Sequence, residues 1–246
     1  MQIIISPAKK MLTQNDDFLS QTRPRFESEA DQITEILQSY SKARLKELWR
    51  CSDQLVSKNY AILHGPKLSL QPALFAYVGL QYQALAADIL ETEALAYLAE
   101  HLKILSGLYG ILRPFDGIRP YRLEMQAKLP VGEAKDLYTF WGDKLYQELY
   151  RNEQIVVNLA SKEYAKSIEK YLRPTDIFIT CIFGEEKDGK LMQKATKAKL
   201  ARGQMVRFMA QNNVTKQEQL KTFNELGYQF DQTRSTKTRY VFVQQQ

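Results

Sequence analysis

The chain has 246 residues, 44% hydrophobic and 25% charged, with a negative mean hydropathy; these ordinary globular values exclude extensive disorder and an integral membrane protein. The 34 basic against 28 acidic residues give a net charge of +6, which favours an anionic partner. Cys51 and Cys181 are too few and too far apart for a disulfide framework or a thiolate metal site.

At the start, "MQIIISPAKK" has an apolar run of only three isoleucines and no basic region before it, so it reads as neither a targeting signal nor a span, and a cytoplasmic protein is expected. "QIII" (Gln2 to Ile5) is a buried strand, and "SPAK" follows as a turn whose proline is placed to open a helix. From Ser28 to about Asn59 the apolar spacing predicts two helices, with Ser41 as the N-cap of the second. "ALFAYVG" (Ala73 to Gly79) and "LKILSG" (Leu102 to Gly107) read as strands, with a helix opening at Thr92 between them.

"QIVVNLAS" (Gln154 to Ser161) is another buried strand, running into a helix that Arg173-Pro174 stops. Asp188-Gly189 divides two runs as a hairpin turn, and a basic helix is expected from about Lys197 to Gln211. Thr215 and Glu218 form a capping-box pattern, with a stop at Gly227. "YQF" and "RYVFV" close the chain. No repeat or linker divides these elements, which predicts a single domain over residues 1–246: a mixed β-sheet with helices packed on it and a late β-hairpin, α/β or α+β.

Chemistry concentrates in "LSGLYGILRPFDGIRPYRLEM", Leu105 to Met125. Ser106 and Gly107 permit close backbone approach, and Pro114 and Pro120 stiffen the chain beyond them, as a surface needs if it is to hold Arg113, Arg119 and Arg122 ready for a phosphate or carboxylate. The same composition also suits a stiff connection whose arginines pair with Asp116 and Glu124. Ser6-Pro7-Ala8-Lys9 has the Ser-x-x-Lys spacing that can set an amine beside a hydroxyl, although no companion acyl-transfer motif is recognisable.

Between Gly189 and Lys216 there are Lys190, Lys194, Lys197, Lys199, Arg202 and Arg207 and no acidic residue, the electrostatic footprint of a nucleic-acid binder. On a helix, Ala198, Ala201, Met205, Phe208 and Met209 form a buried stripe while Lys199, Gly203 and Arg207 recur opposite. Gly203 implies a close approach, by a phosphate or base or by a neighbouring element. Lys42, Arg44, Lys46 and Arg50 offer a second basic face, which can equally be an ordinary amphipathic helix. With His64 and His101 the only histidines and no cluster at ligand spacing, neither a metal nor any other cofactor is expected; Glu185, Glu186 and Asp188 read as a solvated acidic tip.

"SPAK", "LSGLYGILRPFDGIRPYRLEM", "FWG" (Phe140 to Gly142), "NLASKEY" (Asn158 to Tyr164), "KLARGQMVRF" (Lys199 to Phe208) and "GYQF" (Gly227 to Phe230), taken together and in order, resemble the YaaA peroxide-stress protein family. The resemblance implies a cytosolic role in the peroxide response that limits damage linked to free intracellular iron. It also implies DNA binding through a positively charged cleft and a helix-hairpin-helix-like element, with no settled reaction. The glycine expected at that element is missing around Ser41.

These motifs read as the lining of a pocket: Gly107, Tyr109, Arg113, Arg119, Tyr121, Arg122, Glu124, Trp141, Asn158, Ser161 and Tyr164 combine aromatic, amide, hydroxyl and charged groups suited to a nucleotide or nucleobase. Two functions are compatible with them: a DNA-binding stress protein with little sequence preference on duplex or distorted DNA, or an enzyme acting on a nucleotide or damaged base, with Glu124 as acid or base and Ser6 and Lys9 beside it. If "QIII", "LKIL" and "IVVNL" lie parallel, their carboxyl ends bring Lys9, Arg122 and Ser161 to one sheet edge.

Overall fold

The isoleucines of Gln2–Ile5 are fully buried, and this strand, β1, is the middle of a sheet. β2 (Leu102–Ser106) pairs parallel on one side of it, β3 (Gly110–Leu112) then pairs antiparallel with β2, and β4 (Ile155–Leu159) pairs parallel on the other side of β1. β5 (Ile177–Lys187) continues parallel beyond β4, β6 (Lys190–Met192) folds back on its end, β7 (Tyr228–Phe230) lies antiparallel to β8 (Arg239–Gln244), and β8 joins β5 in parallel. The order is β7-β8-β5-β4-β1-β2-β3. A parallel centre with helical crossovers makes the fold α/β rather than α+β. The computed structural model describes residues 1–13 and 18–245, and one hydrophobic core joins sheet and helices.

Three local expectations are corrected. The stretch Lys42 to Asn59 is not one helix: Lys42–Trp49 ends at Arg50, whose left-handed conformation (φ 46°) breaks the run, and Ser52 caps a further helix, Asp53–His64. Ala73–Ala76 is a helical turn, and only Tyr77–Val78 is extended, pairing with Lys10–Met11; "SPAK" therefore leads into this short ladder and Pro7 opens no helix. The stretch after Thr215 forms 3₁₀ turns, and Gln219, not Glu218, caps them by accepting the N–H groups of Thr215 and Lys216. The Asp188-Gly189 turn, both residues at positive φ, is as expected, and so is the basic helix, at Ala195–Gln211. Among the described residues no helix is long and apolar enough to cross a membrane.

Candidate functional site

β1, β2 and β4 end together, in a register that pairs Ile5 with both Ile104 and Leu159. β2 lies to one side of β1 and β4 to the other, so the chain switches direction there, the position at which open α/β sheets place a crevice. Ser6 and Ser161 stand at its mouth: the Ser161 backbone N–H donates to Ser6 Oγ at 2.8 Å, and the two hydroxyls lie 3.3 Å apart.

A cleft of about 540 Å³ opens above, lined by Ser6 to Lys10, Val78 to Tyr82, Tyr121 to Glu124, Ser161, Glu163, Tyr164, Lys199 and Arg202. Lys9, Lys10, Arg122, Lys199 and Arg202 line it against two carboxylates, Glu124 and Glu163.

Gly107 builds one wall. An added Cβ would lie 2.8 Å from the Leu123 carbonyl oxygen, so only glycine lets the backbone of 123–125 close against β2 and aim Arg122 and Glu124 inward. Glu124 Oε1 lies 2.9 Å from Lys9 Nζ and 3.5 Å from Arg122 Nη2, at ion-pair distance from both and in hydrogen-bond geometry with neither. The Arg122 side chain is only 10% exposed, and its Nε is a buried donor without a partner among the described residues. Arg202 Nε is another, and burial lowers this guanidinium's pKa. Its neighbour Cys181 offers no anion, because burial pushes that thiol up to about 12.

The floor is a chain of hydroxyls. Tyr121 Oη lies 2.8 Å from Tyr77 Oη and 2.7 Å from Ser106 Oγ, and Tyr82 Oη donates to the Ser6 carbonyl at 2.9 Å. Burial raises the pKa of Tyr77, Tyr82, Tyr121 and Tyr164, keeping them neutral. Glu163, which the sequence reading did not single out, accepts the Gln126 N–H at 3.2 Å; burial, then repulsion from Glu124, raise its pKa. Its only sequence signal was its place two residues after Ser161.

Lys9, Arg122, Glu124, Tyr121, Ser161, Tyr164, Lys199 and Arg202 thus meet at one edge, and other candidates go elsewhere. Trp141 is fully buried, its indole N–H donating to the Gly107 carbonyl at 3.0 Å, so it is a core brace and not a stacking plate. Asn158 is buried in hydrogen bonds to Thr180 and the Ala160 N–H, and Tyr109 accepts the Arg119 N–H with its hydroxyl. Arg119 donates from Nε to the Leu68 carbonyl, and Arg113 is held by Asp116.

Lys9 reaches Glu124 rather than Ser6, so the Ser-x-x-Lys spacing forms no hydroxyl–amine pair among the described residues. Gly203 faces neither phosphate nor base: it packs against Gln81 and Ala84 of the helix Leu80–Leu85. Arg207 turns to a separate groove with Glu91, Glu93 and Glu100. Lys194 and Lys197 pair with Glu185, holding its carboxyl down at about 2, and Arg234 pairs with Glu186, so two of the three tip carboxylates are engaged and the basic run is shortened. Arg44 pairs with Glu47, Lys46 with Asp53, and Lys42 lies over the Tyr60 ring. Arg44 nevertheless lines a groove with Arg50 and Lys128 that shares Glu124 with the cleft.

Fold and site together define an α/β protein with a cleft, carrying five cations and two carboxylates on its lining, at the carboxyl ends of its parallel strands. A family model described as peroxide stress protein YaaA matches residues 1–234. A UPF0246 protein of Pediococcus pentosaceus is 50% identical over 245 residues, covering 99% of this chain and 98% of its own. One from Lactiplantibacillus plantarum is 49% identical over 247 residues and the whole of both chains, and one from Ligilactobacillus salivarius is 48% identical over 99% of each. The chain belongs to the YaaA peroxide stress protein family.

Proposed function

We propose that this peroxide stress protein binds DNA across the cleft with little sequence preference, and thereby limits the damage that peroxide and free intracellular iron do there. The observation that carries this reading is the convergence of two buried guanidinium groups, those of Arg122 and Arg202, on one cavity with Lys9 and Lys199. Burying a charged guanidinium is costly unless an anion compensates it, and a phosphate in the cavity would supply that charge. The groove of Arg44, Arg50 and Lys128 beyond Glu124 extends the track along which a sugar-phosphate backbone would run. Fluorescence anisotropy with labelled duplexes of unrelated sequence should give similar affinities that fall steeply with salt. Absence of binding by the intact protein at low ionic strength overturns the reading.

A second reading rests on the carboxylates. A pure phosphate binder gains nothing from Glu124 and Glu163 inside its cleft, whereas an enzyme acting on a nucleotide or damaged base can use them as proton donor and acceptor, with Glu163, its pKa raised, as the donor. Replacing Glu124 with Gln separates the two. Turnover would fall by at least about 10²-fold in the enzyme, while DNA affinity in a binder would stay level or rise with the loss of a negative charge.

A further inference from the structure

Two of the three arginines in Leu105 to Met125 lie outside the cleft, and one of them, Arg113, marks a second concavity. Pairing of Ile104 with Leu112 sets Lys103 and Arg113 side by side at the amino end of β2, opposite the end that carries Ser106. Around them Arg23, Arg25 and Arg151 complete five cations lining a cavity of about 510 Å³, with Asp116 and Glu148 as its carboxylates.

Those carboxylates are already engaged. Asp116, 1% exposed, accepts from the Arg113 backbone N–H at 2.8 Å, Arg113 Nε at 3.1 Å and Thr22 Oγ1 at 2.6 Å. Glu148 is shared between Arg151 at 2.6 Å and Arg25 at 3.6 Å. The Arg113 fork is further fixed by its Nη2 donating to the Arg23 carbonyl at 3.0 Å, so a guanidinium is held in place before any ligand arrives. Lys103 makes no ion pair and no hydrogen bond among the described residues. Burial, then the neighbouring Arg113 charge, lower its pKa, so its cationic form lacks full compensation.

We propose that this cavity is a second anion site, built for a compact polyphosphate: inorganic tripolyphosphate or the phosphate tail of a nucleotide. Adjacent phosphates would bridge the Lys103 ammonium and the guanidinium forks of Arg113 and Arg151, which lie on different segments of the chain and need an anion with several charged oxygens to link them. A concave cavity of this size admits such a molecule.

The test is calorimetric titration of the full chain with tripolyphosphate, and separately with adenosine triphosphate, at low ionic strength. Both ligands should bind, and each should raise the unfolding temperature. Lys103→Met, which keeps an apolar stem in place, and Arg151→Gln, on a side chain 55% exposed, should each weaken binding at least about tenfold while duplex DNA affinity stays level. Arg151→Gln removes no buried group and keeps the test valid if Lys103→Met does not fold. The proposal falls if neither ligand binds at millimolar concentration or if both variants bind as the parent does. It also falls if both variants lose DNA affinity in step, which would make the cavity part of the DNA track.

Discussion

Replacing Gly203 with alanine is expected to destabilise the protein by about 2 kcal/mol, although alanine is favoured over glycine in a helix interior by about 1 kcal/mol. Gly203 sits within the helix Ala195–Gln211, where an added methyl would overlap the backbone carbonyl of Gln81 and press on the Ala84 Cβ at 2.8 Å. A backbone carbonyl cannot swing aside as a side-chain tip can, so the two helices must separate. Gln81 and Tyr82 line the cleft on the same short helix, so the separation also widens the site. For a chain of this length the cost corresponds to a fall of roughly 4–8 °C in unfolding temperature. A thermal melt showing an unchanged or higher transition would mean that helix propensity outweighs the packing.

The combined change of Arg122, Lys199 and Arg202 to alanine should have the largest effect on DNA binding. Each lost phosphate contact removes about 0.9 from the slope of log affinity against log salt, so the triple variant should be flatter by about 3 units. With roughly 1–2 kcal/mol per charged contact, affinity at low salt should drop by about 10²–10⁴-fold. Arg207→Ala is the internal comparison: it lies on the same helix and in the same basic run, but faces Glu91, Glu93 and Glu100 in another groove, and its removal should leave both slope and affinity almost unchanged. If Arg207→Ala weakens binding as much as Lys199→Ala, the DNA follows the helix face and not the cleft.

The contrast between Arg207 and Lys199 shows where reading the sequence stops. Strands buried on both faces announce themselves as short, mostly apolar runs, which is why "QIII", "LKIL" and "IVVNL" were legible, and a parallel arrangement of three such strands already gathers their carboxyl ends at one edge. The Asp188-Gly189 hairpin and the Ser41 cap were legible because a local dihedral or a single hydrogen bond decides them.

The partners of charged groups were not legible. The run Lys190 to Arg207 reads as one basic surface, but Glu185 from β5 takes Lys194 and Lys197, the cleft takes Lys199 and Arg202, and an acidic groove takes Arg207. Coulomb interactions depend on separations of a few ångströms between segments distant in sequence, and no local pattern encodes them. The same reason covers Trp141, which a glycine-flanked aromatic motif suggests as a base platform and which the fold instead buries against the Gly107 carbonyl. The sequence by itself determined the three central strands and the edge where they end. Only the tertiary structure decided which cations are left without anions, because that depends on which carboxylates the fold brings within reach.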